Sequence, residues 1–182
     1  IDSATMINKV YEVIEARKIF NIPYEKIKIL VHPNSYVHCL VKFNNGIIKI
    51  ILHETTMKIP IFNTLYFNLD KKIYSKPIDF KKLNSLNLQN INLIRFPMVK
   101  ILKYLPKNNS LFETVIVSAN DCLVELFLNK KIKFIDIHKE LFKIINNIEF
   151  KKFKKIIPKN IRDIVELNKY VRSKILKKVY KS

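Results

Sequence analysis

Met6, Val10, Val13 and Ile14 recur at helical spacing and predict an apolar stripe along one helix within the first sixteen residues. Asp2 or Ser3 stands where a short polar side chain can cap that helix. Asn8, Glu12 and Glu15 fall at i, i+4 and i+7 and share a second, polar face, with Lys9 beside it. Ile22-Pro23 ends the pattern. Residues 26–31 form a β-branched run that reads as a strand, and His32-Pro33-Asn34 reads as a turn. Residues 36–43 alternate as a second strand, Asn44-Asn45-Gly46 makes a hairpin turn, and residues 47–53 return as a third strand. One helix and three strands predict an α/β (α+β) layer with a small mixed sheet over residues 1–66.

Residues 67–92 are polar, weakly periodic and interrupted by Pro77, which reads as a linker. Helical patterns then take over. Pro97 opens a short helix that Pro106 stops, and Ser110 caps a long apolar helix over 111–129. Residues 136–147 give a third helix, with Ile137, Leu141, Ile144 and Ile145 as its stripe; Asn160 caps the last. Four helices with short connections predict a C-terminal α-helical bundle over 93–182, structural in role. Asn120 and Asp121 sit within its long helix, where a capping or tertiary hydrogen-bonding role is expected.

Charge changes this picture less than its size suggests. The net charge is +19, and most of it falls after residue 66. Such a basic half raises the question of nucleic acid. Yet Lys dominates, accompanied by abundant Asn and Ile, and all three have AT-rich codons, so coding bias accounts for it. No basic sheet face with exposed aromatics stands out. A positive field still helps attract anionic small molecules. No run of about 18 apolar residues predicts a membrane span. Cys39 and Cys122 are too few for a disulfide framework and form no C-x-x-C pair. The chain opens without Met, directly in a motif that needs support from preceding structure, so the C-terminal portion of a longer polypeptide is expected.

The first helix is where chemistry concentrates. A helix N-terminus offers unpaired N–H groups and partial positive charge to a phosphate. Ser3, Asn8 and Lys9 add a hydroxyl, an amide and an ammonium, and Glu12 supplies a hard oxygen suited to Mg²⁺ or Mn²⁺. By residue type alone, an ordinary amphipathic helix with a solvated polar face explains the same spacing. His38 reads first as a packing residue on a strand face, and His32 as a turn residue. His53 and Glu54 can line a cleft, and a loop after them carries Met57, whose sulfur suits packing on a flat ring or anchoring the loop to the core.

The motif I-D-S-A-T-M-x-N-K-x-x-E-x-x-E-A over residues 1–16 resembles the signature of the 1-deoxy-D-xylulose 5-phosphate reductoisomerase family. A-R-K-I-F, V-H-P-N-S, V-H, M-K-I-P-I, S-K-P-I-D-F and S-A-N-D follow in the family's order. The chain departs from the pattern at Val10, where the family has a small residue, and at Thr56, where it has an acidic one. The resemblance implies NADPH- and divalent-metal-dependent reductive isomerisation of 1-deoxy-D-xylulose 5-phosphate to 2-C-methyl-D-erythritol 4-phosphate, in non-mevalonate isoprenoid biosynthesis. It places Ser3, Asn8 and Lys9 at the substrate phosphate or a neighbouring hydroxyl, and makes Glu12 a substrate-binding residue, a metal ligand and, with Lys9, a catalytic group. Glu15 becomes a supporting or alternative carboxylate. Ser35 and His38 lie near the substrate, and Met57 near the nicotinamide. The resemblance also implies a homodimer through the catalytic domain (residues 1–66 here) and, with the coding bias, a plastid of the apicoplast type. The other metal ligands and a Gly-rich dinucleotide unit lie outside this chain, which is therefore expected to be inactive alone. A basic nucleic-acid-binding module and a noncatalytic interaction domain are the alternatives.

Overall fold

The structure, a computed structural model, describes residues 1–179. The chain divides into two compact units, Ile1–Lys28 with Asn92–Ser182, and Ile29–Ile91. The first helices therefore belong with the C-terminal helices rather than with the strands that follow them, which differs from the division expected at residues 66 and 92. The physical reason is the apolar stripe. Ile7, Val10 and Ile14 join one buried cluster with Met98, Ile101, Phe112, Ile116 and Leu123.

In the helical unit, α1 (Asp2–Thr5) and α2 (Ile7–Phe20) are separated by Met6, whose φ of 62° is left-handed. A single-turn 3₁₀ segment, Tyr24–Lys26, follows α2. Pro97–Tyr104 is a longer 3₁₀ helix that packs on α2, where the sequence suggested an α-helix. α5 (Phe112–Leu128) is central. Its buried residues include Phe112, Val115, Ile116, Ala119, Cys122, Leu123 and Leu126, more than one stripe wide, so it is covered on several sides. α6 (Phe134–Asn146) and α8 (Ile161–Val179) pack against it. Each presents a single stripe at i, i+4, i+8: Ile137, Leu141, Ile145 on α6 and Leu167, Val171, Ile175 on α8. The short α7 (Ile148–Lys151) lies between them in sequence. Fully burying an apolar side chain of this size is worth roughly 1.5–3 kcal/mol, so this cluster carries most of the unit's cohesion.

Polar caps define the helix starts. Ser110 Oγ accepts from the Phe112 N–H at 3.1 Å, and Glu113 Oε2 accepts from the Ser110 N–H at 3.2 Å and hydroxyl at 2.6 Å. Asn147 Oδ1 accepts from the Glu149 N–H, and Asn160 Oδ1 from the Asp163 N–H.

In the strand unit, β1 (Leu30–Val31) pairs antiparallel with β4 (Gln89–Asn90), and β2 (Val37–Lys42) pairs antiparallel with β3 (Ile48–Leu52). The strands thus form two antiparallel pairs where one small mixed sheet was expected. Gly46, with φ of 87°, closes the β2–β3 turn as its sequence predicts. α3 (Lys58–Leu65) starts directly after Met57, and α4 (Phe80–Asn84) is capped by Asp79, whose Oδ1 accepts from the Lys82 N–H. Residues 67–92, read as a linker, therefore contain α4 and β4 and close on β1. No residue of 29–91 is fully buried, and Leu40, Val41, Ile48 and Ile51 are exposed.

Candidate active site

The signature residues fall on both sides of the Met6 turn. Asp2 and Ser3 are on α1; Asn8, Lys9, Glu12 and Glu15 are on α2. A left-handed conformation costs a non-glycine residue on the order of 1–2 kcal/mol, so local contacts must enforce it. The Thr5 N–H donates to the Ile1 carbonyl at 3.1 Å, the Met6 N–H to the Ser3 carbonyl at 3.3 Å, and the Thr5 hydroxyl to the Asp2 carbonyl at 3.2 Å. The break starts a fresh helix at Ile7, and no side chain caps it. The Lys9 N–H already donates to the Met6 carbonyl at 3.2 Å, so what this end offers an anion is the helix dipole beside the Asn8 and Lys9 side chains.

Lys9 Nζ lies 2.9 Å from both carboxylate oxygens of Glu12. Glu12 and Glu15 are exposed, and Lys9 is half-buried. Asn8 Oδ1 is buried and has no partner within the protein. The sequence thus identified a helix face that does gather an amide, an ammonium and a carboxylate. It did not anticipate that Ser3 stands on a separate turn.

A second cluster behind this face escaped the sequence reading except for the expectation that Asn120 and Asp121 bond tertiary partners. The Asn120 Nδ2 donates to Asp2 Oδ1 at 3.2 Å, tying α5 to α1. Tyr11 lies close enough for Asn120, Asp121 and Asp2 all to act on its phenol, which burial foremost pushes far above its ordinary value. Asp121 is at the surface, but desolvation by its neighbours and then the Asp2 charge raise its carboxyl above the usual range, against Arg172 and Asn120. The Tyr11 hydroxyl and Asn120 Oδ1 are buried without a protein partner.

The remaining candidates lie in the strand unit. Ser35 is exposed at a turn with φ of 49°. The His38 ring stacks on His53 with centroids 3.5 Å apart and planes 4° from parallel. Because carbonyls only accept, His38 Nε2–H donates to the His53 carbonyl at 3.1 Å, and His53 Nδ1–H donates to the Glu54 carbonyl at 2.6 Å. This stacking of two histidines fifteen positions apart carried no sequence signal. His32 Nδ1–H donates to the Asn87 carbonyl at 3.1 Å, as befits a turn residue. Met57 is 68% exposed; it is no anchor to a core. It stands at the start of a helix, where an open loop was expected.

For a divalent cation, the fit is partial. Among the described residues, no group of three or more His, Cys, Asp or Glu side chains is placed to hold a metal ion. Glu12 offers the right hard oxygen on an exposed face, so the chain fits as one contributor to a shared ligand set. Among the described residues no helix is long and apolar enough to cross a membrane.

One helical unit and one unit built on two antiparallel strand pairs, with a helix face that pairs an ammonium with a carboxylate, define the chain as an α+β protein of two compact units. Comparison with known proteins makes this specific. Residues 52–174 match the family model described as DXP reductoisomerase C-terminal domain, and the chain belongs to that family. It is 61% identical over 175 residues to the 1-deoxy-D-xylulose 5-phosphate reductoisomerase of Pelagibacter ubique, covering 96% of this chain and 45% of that protein. The Sulfurihydrogenibium protein of the same name is 38% identical over 84% of this chain and 40% of its own length. The Zymomonas mobilis reductoisomerase structure, a complex with NADPH, superposes with a TM-score of 0.81 at 31% identity, covering 98% of this chain and 46% of that one. A DOX-P reductoisomerase structure in complex with NADPH, fosmidomycin and magnesium gives a TM-score of 0.85 at 29% identity, covering 98% of this chain and 45% of that one. The chain spans about half the length of the relatives it matches.

Proposed function

We propose that this chain is part of an enzyme that converts 1-deoxy-D-xylulose 5-phosphate into 2-C-methyl-D-erythritol 4-phosphate, using NADPH and Mg²⁺ or Mn²⁺, in isoprenoid biosynthesis. The observation that carries the reading is the α2 face, with an uncapped N-terminus at Ile7 and Lys9 and Glu12 paired at 2.9 Å. The relatives' names and their NADPH and magnesium complexes support the same assignment.

In this reading Ser3, Asn8 and Lys9 hold the substrate phosphate. The Lys9 ammonium supplies charge, the Asn8 amide and Ser3 hydroxyl supply direction, and the start of α2 adds its dipole. Anchoring the phosphate fixes the rest of the substrate. Glu12 is one metal ligand and Glu15 supports it. A divalent cation would polarise the substrate carbonyl, and NADPH would deliver the hydride. Ser35 and His38 contact the substrate, with His38 held in one tautomer by the His53 carbonyl. The exposed Met57 thioether packs against the nicotinamide.

The homodimer belongs to the same proposal. Exposed Ile48, Ile51, Leu40 and Val41 on the β2–β3 hairpin offer apolar surface for it, and no nucleic-acid partner is needed to explain the positive charge. The plastid expectation has no support: the relatives named above are bacterial, and the same coding bias suits a bacterial chain.

NADPH oxidation on adding 1-deoxy-D-xylulose 5-phosphate and Mn²⁺ tests the proposal. The chain is assayed alone and joined to its natural upstream sequence. Activity is expected only in the joined form, and Glu12→Gln is expected to abolish it without unfolding the protein. A folded, joined, inactive wild type would overturn the assignment.

A further inference from the structure

The Met6 turn decides where Ser3 stands relative to Asn8 and Lys9, and α1 is too short to hold that geometry by itself. Four residues give no self-sustaining helix. Something outside the turn must fix it. Asn120 is the side chain that ties α1 to the bundle. Its Nδ2 donates to Asp2 on α1 at 3.2 Å. Its Oδ1 and the hydroxyl of Tyr11, which lies on α2 one turn beyond Asn8, are both buried without a protein partner. Asn120 is itself fully buried, on the helix that forms the centre of the bundle. That helix is anchored at its start by the Ser110–Glu113 cap and along its length by α6 and α8. A rigid element thus presents a short amide to the segment that leads into a strained turn, an arrangement that transmits position.

We propose that Asn120 is a positioning residue for phosphate binding: by holding Asp2 on α1, just before the Met6 turn, it sets Ser3 against Asn8 and Lys9. The inference rests on the reading of those three residues as the phosphate site. It gives the helical bundle a functional task beyond support.

The test uses the full-length natural enzyme. Steady-state constants are measured for the wild type, Asp2→Ala, Asn120→Asp and the exchanged pair Asp2→Asn/Asn120→Asp, with inorganic phosphate as a competitive probe and a thermal melt for each variant. Asp2→Ala is expected to raise KM for the sugar phosphate about tenfold, with kcat and the KM for NADPH little changed. The inhibition constant of inorganic phosphate is expected to rise by the same factor. Asn120→Asp sets two carboxylates face to face and should do more harm. The exchange restores one amide–carboxylate pair and should recover most of the loss. If Asn120→Asp does not fold, Asp2→Ala alone decides. Lower melting temperatures with an unchanged KM and an unchanged phosphate constant would mark the cluster as structural only and overturn the proposal. A wild type that turns over no substrate, or is not competed by phosphate, would instead sink the phosphate-site reading on which the proposal rests.

Discussion

Glu113 is a buried carboxylate outside the candidate active site, and its removal is a sharp test of how α5 is held. It is 4% exposed, and Ser110 is 3% exposed. One of its oxygens accepts both the Ser110 N–H and the Ser110 hydroxyl, while the other is buried without a partner. Glu113→Ala removes two bonds to a charged acceptor, each worth about 1.5–3 kcal/mol net, and strands a buried donor. Against that loss, the variant no longer has to desolvate a carboxylate. Ser110 Oγ still caps the Phe112 N–H in the variant, so the cap is weakened rather than abolished. The balance is a destabilisation of about 2 kcal/mol, near the upper end for the loss of a helix cap. For a chain of this size that lowers Tm by about 4–8 °C. Urea unfolding followed by far-UV circular dichroism measures it, for Ser110→Ala, Glu113→Ala and the double variant. Because the two side chains satisfy each other, the double-mutant cycle should show coupling of about 1–2 kcal/mol. Additive effects, or a Glu113→Ala variant within about 0.5 kcal/mol of wild type, the range of an ordinary surface change, would refute the reasoning.

Three further outcomes follow from the same geometry. The Lys9–Glu12 pair is solvent-exposed, so Glu12→Gln should change unfolding stability by less than about 1 kcal/mol; a larger loss would mean the residue is a structural prop. The Asp121 carboxyl is raised in the folded state, so folding favours its protonated form. Stability should fall as pH rises from the ordinary carboxylate range through that raised value, and Asp121→Asn should be more stable than wild type above this window, with the advantage shrinking below it. Denaturation curves at a series of pH values check the sign. Cys122 is buried and its thiol is pushed up chiefly by desolvation, so in a Cys39→Ser variant a thiol reagent should label the protein only after denaturant is added. Rapid native labelling would contradict the packing of α5.

Local chemistry carried much of this protein in plain view. The stripe of α6, the Ser110 and Asn160 caps, the Gly46 hairpin and the i, i+4, i+7 face of α2 all depend on residues close in sequence, so periodicity and turn chemistry suffice to find them. The long first motif also led to the family, because its order of hydroxyl, amide, ammonium and carboxylate is specific. Three features needed the tertiary structure. The left-handed turn at Met6 is disfavoured by its own side chain and is held by surrounding contacts. The first helices leave the adjacent strands and join helices some ninety residues away, because Ile7, Val10 and Ile14 find their apolar partners there. The Asn120–Asp2 bond and the His38–His53 stack join residues 118 and 15 positions apart. Local propensity has no knowledge of such pairs; only the packed chain brings buried polar groups to partners that no neighbour in sequence can supply.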